Sequence, residues 1–532
     1  MTAAVSPAAL RGMLDDGGEI ALVDVREELI YSQGHLLLAR SAPLSRLELG
    51  FGHLVPRRAT RIVLCDGNDG LAERAAAVLS RNGYRDLRIL AGGVEAWAAA
   101  GFELFSGVNV PSKAFGEFIE HQEATPGIAA DELARLLGNG ADLVIVDSRP
   151  FDEYARVSIP SATNVPGAEL VLRARELAPS PDTMVVVNCA GRTRSIIGAQ
   201  SLINAGLPNK VVALRNGTMG WSLAGLTCDS GKNRRAPRVS DAQLAWAKSA
   251  ARRVARACGV VSIDAQQLGT LRREEDRSLY LFDVRDPGEY EAGHIAGAIS
   301  APGGQLVQAT DQYIGTLGAR VVLIDDLEVR AAMTGSWLRQ MGFADVYVLA
   351  EAGNESGWPA IPVLEGETRR DAAIAAKALT DLVSRNAATI LDLSLSRNYQ
   401  TGHIPGAWFA IRTRLARGLK KIALENTLVL TSEDGALAAL AVAEAAELID
   451  RPVRFLEGGN AAWRAAGQPL STEAKMADEP VDQWRKPYER SGDTKAAMQE
   501  YLTWEVDLLP RIKRDGSLRF ERFRPRLAAE AR

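Results

Sequence analysis

Cysteine is scarce: four residues (Cys65, Cys189, Cys228 and Cys258) in a chain of 532. So few thiols exclude the disulfide framework of a small secreted domain and suit a reducing compartment, where each is a candidate free thiol. Long hydrophobic runs are lacking too. No uncharged apolar stretch approaches the roughly 18 residues of a membrane span, and the opening MTAAVSPAALRGMLDDGG lacks the basic and apolar regions of a secretory signal. The expectation is a cytoplasmic protein with no membrane partner. Charge of one sign is not in excess: Lys plus Arg number 62 against 66 for Asp plus Glu, a formal net charge of −4. That balance excludes whole-molecule attraction to nucleic acid and makes any anion site local. Five histidines and four cysteines, so scattered, give no metal-ligand spacing, and no metal is expected.

What is present is ordinary globular material, 47% hydrophobic and 24% charged, long enough for several separately packed cores. The chain repeats itself. An apolar run ending in an acidic turn occurs at Asp24, Asp147, Asp283 and Asp392, and eleven residues on from each stand His35, Ser158, His294 and His403. A second apolar run then meets a short loop and a helical pattern, with loops opening at Cys65, Cys189, Asp325 and Ser432. A Gly-rich turn with Trp97, Trp221, Trp358 or Trp463 closes each copy. The register defines four domains at 1–105, 122–230, 258–362 and 372–472, a linker helix at 231–257 around Trp246, and a C-terminal arm at 473–532. β-rich runs such as ALVDV alternate with helical stretches such as GLAERAAAVLSRNG, so each domain reads as α/β, a parallel sheet with helices on both faces. The four tryptophans read as core. His294 and His403 read as makers of structural hydrogen bonds, and Cys228 and Cys258 as unremarkable thiols or a redox pair. Trp484, Tyr488, Tyr501, Trp504 and Phe520 make the arm too aromatic for a free tail and predict that it docks on the body.

Cys189 ends the run MVVVN and opens CAGRTRS, after which IIGAQSLINAG has a helical pattern. A thiol at such a turn lies under a helix N-terminus, where N–H groups without intrahelical partners favour an anion. Arg192 and Arg194 add two positive charges, Gly191 permits a tight curl, and the Thr193 and Ser195 hydroxyls can donate to a bound anion. All of this favours the nucleophilic thiolate. A free cysteine is more often a small buried hydrophobe, but such a residue gains nothing from this collar. Six residues from the loop's opening, the formal charge is +2 at Cys189 and −2 at Cys65, Asp325 and Ser432. The third and fourth loops have also lost the thiol, and Cys65 faces Asp66 and Asp69, which disfavour a thiolate and leave it a possible second thiol site. Asp147 and Arg149 open the second repeat, where Arg149 is expected to bond Glu153 or nearby backbone and brace the loop from behind.

The DVRDPGEYEAGHIAGA segment, the cysteine loop and the GG…W turn together resemble the rhodanese (thiosulfate sulfurtransferase) domain, four in tandem, to about residue 472. The resemblance implies an α/β sandwich around a parallel sheet and an enzyme that moves sulfane sulfur from thiosulfate to cyanide or a thiol through a cysteine persulfide, without metal or organic cofactor. Carried onto this sequence, Cys189 is the persulfide carrier and Gly191, Arg192, Thr193, Arg194 and Ser195 its cradle. Family loops often read Cys-x-x-Gly-x-Arg-Ser; here Gly191 is third and Arg192 fourth, and the Arg-Ser ending is kept. Phosphatases that resemble the same fold need five residues between Cys and Arg, whereas four separate Cys189 from Arg194. A 3-mercaptopyruvate sulfurtransferase and a non-catalytic persulfide-binding scaffold are the remaining alternatives, and a homo-oligomer is compatible with all of them.

Overall fold

A computed structural model describes residues 2–350, 364–424 and 427–523. The apolar runs form strands and the alternating alanine-rich stretches form helices, because buried parallel strands carry near-continuous β-branched residues and need long crossovers. In the first repeat the sheet runs Ala3–Val5, Leu87–Leu90, Ile62–Cys65, Ala21–Asp24, Arg40–Ser41, every pair parallel. The other three repeats have the same strand order. The fourth adds Lys475–Met476 beside Trp408–Phe409, so its sheet extends past residue 472 into the arm. Trp358 and the rest of 351–363 lie outside the described residues.

Two devices recur. Trp97, Trp221 and Trp463 are buried, and each indole N–H donates to a carbonyl six residues on, at Glu103, Thr227 and Pro469. Their burial closes the last helix of a repeat onto its sheet while the one polar atom stays satisfied. In three repeats a tyrosine stacks on the histidine four residues later, with centroids 3.8–3.9 Å apart, at Tyr31–His35, Tyr290–His294 and Tyr399–His403. Nδ1 of His294 and of His403 lies within hydrogen-bond distance of that tyrosine's carbonyl, which accounts for the recurrent turn.

The segment 231–257 is a strut rather than a tether. Its helix, Asp241–Ala257, is capped by Ser240, whose hydroxyl accepts from the Gln243 N–H, and it packs on Leu170–Leu177 of the second repeat and Val329–Gln340 of the third. Ala247, Ala250, Ala251 and Val254 bury in one core shared by those two repeats. A second connecting helix, Val110–Glu123, runs between the first and second repeats and packs against both Thr193–Asn204 and the C-terminal helix Thr494–Asp515. At Gly116 it passes so close that a Cβ would lie 2.9 Å from Thr193 Cα. The helix that follows Cys189 is therefore gripped from outside its own repeat.

Candidate active site

The strand Met184–Asn188 delivers Cys189 to the base of the helix Thr193–Asn204, as the sequence requires. Cys189 is 2% exposed, and its thiol donates to Ser195 Oγ at 3.5 Å while Ser195 Oγ–H donates to Arg192 O at 2.8 Å. Among the described residues, no protein acceptor meets the backbone N–H groups from Ala190 to Ser195. They leave the loop that opens the Thr193–Asn204 helix as an open ring of donors, free to meet an anion bound beside Cys189 at a helix N-terminus.

The other loops differ in what fills that ring. Sheet register pairs Asp147 with Asn188, Asp24 with Cys65, Asp283 with Ile324 and Asp392 with Thr431. The counterpart of Cys189 is thus Asp66, not Cys65, with Asp325 and Ser432 in the other repeats. Asp66 accepts from the N–H groups of Asn68 and Ala72, and Asp325 from those of Leu327, Arg330 and Ala331. In those repeats a carboxylate built into the chain already occupies the anion cradle; in the fourth, Ser432 Oγ accepts from Ala438 N. Cys65 is one residue earlier, so its side chain points to the opposite face of the strand. It is fully buried, it donates to Val23 O at 3.4 Å, and burial pushes its thiol well above the usual cysteine range. Replacing Cys65 by serine is expected to leave sulfur loading of the protein within about twofold of the wild type, measured by intact mass.

The +2 charge of the Cys189 loop does not survive folding. Arg192 turns to the Val110–Glu123 helix, where Glu117 accepts two hydrogen bonds at 2.7 Å and Glu120 a further one, and it reaches Asn216 at 3.1 Å. Arg194 is held by Glu153 at 2.9 Å and by Gln305 of the third repeat at 3.0 Å. Burial works against ionised Glu153, but Arg194 and Lys486 hold its carboxyl well below the usual carboxylate range. Glu153 is therefore not the partner of Arg149. Arg149 forms a bidentate pair with Asp147 (2.9 and 2.7 Å) and donates to Val157 O at 2.7 Å, which fixes the Asp147 turn. The first and third repeats use Asp24–Arg26 and Asp283–Arg285 in the same way. The pair is a brace behind the site.

The arm supplies what the sequence did not assign. A cavity of about 70 Å³ beside Cys189 is lined by the loop, by Asn109 and Lys113 of the connecting segment, and by Trp484, Lys486, Tyr488 and Tyr501 of the arm. Glu505, on the buried face of Thr494–Asp515, pairs with Lys113 at 3.1 Å and accepts from the hydroxyls of Thr193 at 3.3 Å and Tyr501 at 3.2 Å. Gly191 sits beneath it, where a Cβ would lie 2.8 Å from Met219 Cε and 3.2 Å from Glu505 Oε2. The clustered aromatics were the one signal in the sequence that this segment docks; where it docks is the roof of the Cys189 site. The sheet side is equally tight. Gly217 has φ +53°, and a Cβ there would stand 2.3 Å from Cys189 O. The Gly217→Ala variant should displace the loop and cut kcat/KM by about 100-fold with the far-UV circular dichroism retained.

All four cysteines are free thiols. No described helix is long and apolar enough to cross a membrane, and no group of His, Cys, Asp and Glu among the described residues could hold a metal ion.

With this geometry in view, the likeness to known proteins is specific. The Rhodanese-like domain family matches residues 6–100, 129–224, 264–354 and 375–466. A crystal structure described as thiosulfate sulfurtransferase from Pseudomonas aeruginosa is 46% identical, with a TM-score of 0.93 over 98% of this chain and 100% of that one. Thiosulfate sulfurtransferase of Azotobacter vinelandii is 28% identical over 230 residues, 36% of this chain and 83% of that protein. A second Pseudomonas aeruginosa protein of the same name is 29% identical over 216 residues, 33% of this chain and 79% of that protein. Four repeats with the family's strand order, one thiol beside an open ring of donors, and these matches lead to one conclusion: the chain belongs to the rhodanese-like domain family and is a rhodanese-type sulfurtransferase.

Proposed function

We propose that Cys189 carries sulfane sulfur from thiosulfate to a small thiophilic acceptor, cyanide or a thiol. In the first half-reaction the Cys189 thiolate attacks the outer sulfur of thiosulfate. An S–S bond forms, the bond to the sulfonate sulfur breaks, and its electron pair leaves with sulfite. The product, a cysteine persulfide anion, is held by the Ala190–Ser195 N–H groups. In the second half-reaction the acceptor's lone pair takes the outer sulfur, giving thiocyanate from cyanide, and the thiolate returns. The sulfur travels on the protein itself, so the cycle calls on no cofactor. Lys113, Lys486 and Arg194 line the cavity, each already paired with Glu505 or Glu153, so the anionic donor is met first by the free N–H groups of the loop. The observation that carries this reading is the donor ring at Cys189, open where the rings at Asp66 and Asp325 are filled by their own carboxylates.

A second donor has an argument of its own. Both arginines offered by the sequence to a sulfonate are engaged by carboxylates, which removes a reason to prefer thiosulfate over 3-mercaptopyruvate. The test is to incubate the protein with each donor alone and read the intact mass. A gain of about 32 Da, one sulfur per chain, on the peptide containing Cys189 supports the reading, and the donor that loads at the lower concentration is assigned. No adduct from either donor on folded protein refutes it.

A further inference from the structure

The second and third repeats pack against each other, and one offset along the chain relates them. It carries Cys189 to Asp325, Arg194 to Arg330, Glu153 to Glu289 and Glu169 to Gln305. The contacts across the junction obey the same exchange. Arg194 Nη1 donates to Gln305 of the third repeat at 3.0 Å, and Arg330 Nη1 donates to Glu169 of the second at 2.8 Å. Within its own repeat Arg194 is held by Glu153 at 2.9 Å and Arg330 by Glu289 at 2.7 Å. Between them the backbones meet so closely that a Cβ on Gly304 would lie 3.0 Å from Gly167 N. Each loop therefore receives one side chain from the other repeat, at the same arginine nitrogen.

The two exchanged side chains differ by one charge. Arg330 collects four carboxylates, Asp325, Asp326, Glu289 and Glu169, around one guanidinium, and a further anion would be repelled there. Among the described residues Arg194 has one carboxylate partner, Glu153, which Lys486 shares at 3.1 Å, and beside it the uncharged amide of Gln305. Burial opposes the Arg194 charge, yet Glu153 and, after it, Cys189 hold the guanidinium above the usual arginine range, so a charge placed on Arg194 is felt at the sulfur. Around the whole cavity the balance is even. Lys113, Arg192, Arg194 and Lys486 line it, and Glu505, Glu117, Glu120 and Glu153 pair with them. Four charges against four leave no surplus cation to neutralise a fifth carboxylate. Position 305 is where the third repeat would deliver one if it matched the second.

Resting on the Cys189 reading above, we infer that Gln305 is a positioning residue lent by the third repeat, whose uncharged amide holds Arg194 and keeps the Cys189 site open to an anionic sulfur donor. Glu169, its counterpart, helps close the Asp325 loop to anions. The second repeat owes part of its selectivity for charge to a side chain outside itself.

Gln305→Glu keeps the shape and the acceptor oxygen that Arg194 uses and adds one negative charge; Gln305→Met removes the amide and adds none. Two measurements read the difference, one of them independent of sulfur transfer. Alkylation of Cys189 by iodoacetate and by iodoacetamide, followed by mass on the Cys189 peptide, compares an anion with a neutral reagent. Taking the ratio of the two rates cancels the nucleophilicity of the thiol. That ratio should fall at least about threefold in Gln305→Glu and stay within about twofold of wild type in Gln305→Met. Likewise, the rate of Cys189 loading by thiosulfate, a dianion, relative to methanethiosulfonate, a monoanion, should fall at least about threefold in Gln305→Glu. Ratios unchanged in Gln305→Glu, or lowered equally in Gln305→Met, overturn the inference. If Gln305→Glu does not fold, judged by its melting curve, Lys486→Met, which shifts the same balance by one charge, is read in its place. Failure of thiosulfate to load the wild type is a failure of the Cys189 reading, and the alkylation ratio then decides the role of Gln305 by itself. If thiosulfate loads Cys189 but neither alkylating reagent reaches it, the donor ratio decides; if Cys189 neither loads nor alkylates, both readings fall.

Discussion

Cys189→Ser is expected to abolish both the persulfide adduct and turnover, a loss of at least about 1,000-fold in kcat with thiosulfate and cyanide. The hydroxyl fills the same space and can still donate to Ser195 Oγ, so folding should be unaffected. What is lost is a thiol nucleophile and a sulfur that can leave again as thiolate. No other thiol can substitute. Cys65 hangs from the opposite face of its strand, bonded to Val23 O. Cys258 is half-buried and its thiol is pushed up to about 12, chiefly by burial. Cys228 is within 3.5 Å of Ser222 Oγ in a different segment of the second repeat. The measurement is continuous thiocyanate release together with intact mass after thiosulfate alone. Turnover above about 1% of wild type would move the chemistry to another residue.

The fourfold α/β architecture was legible because periodicity and turn landmarks are local properties of the chain. The Asp-to-loop spacing even contained the correction to the first repeat: Asp66, not Cys65, stands as far from Asp24 as Cys189 does from Asp147. Aligning on the thiol rather than on the count shifted the register by one, and a shift of one in a strand exchanges its faces. The charge of the cysteine loop misled for a different reason. A formal count along six residues cannot include Glu117, Glu120 and Glu153, which are 36 or more positions away in sequence yet within salt-bridge distance of Arg192 and Arg194. The same reasoning explains the arm. Its helix has a plain buried face, Met498, Leu502, Glu505, Leu508, Leu509 and Ile512, but a glutamate in such a row reads as an error of patterning until Lys113 is placed against it. The degenerate repeats are therefore part of the site's construction. The third supplies Gln305 to Arg194, and the first, through the helix that leaves it, supplies Lys113 and the acids of Arg192.

The Lys113–Glu505 pair carries the second large effect. Glu505 is fully buried and Lys113 is 8% exposed, and although burial opposes its charge, Glu505 holds the Lys113 ammonium well above the usual lysine range. Glu505→Ala leaves that ammonium without a counter-charge and the Thr193 and Tyr501 hydroxyls without an acceptor. Breaking one partner of a buried pair costs about 3–5 kcal/mol. The cost falls on the contact between the Thr494–Asp515 helix and the cysteine loop, because those are the two elements the carboxylate joins. The expected result is release of the arm, read as faster limited proteolysis between residues 477 and 516, with thiosulfate loading of Cys189 reduced by at least about tenfold. The double variant Lys113→Met with Glu505→Leu separates the two roles of the pair. It removes both charges and keeps the volume, so docking of the helix, and with it protease resistance, should return. If loading returns as well, the pair acts by holding the roof in place. If the roof closes and loading stays low, the Lys113 charge is itself required for the anionic donor, and the wild-type pair serves both ends.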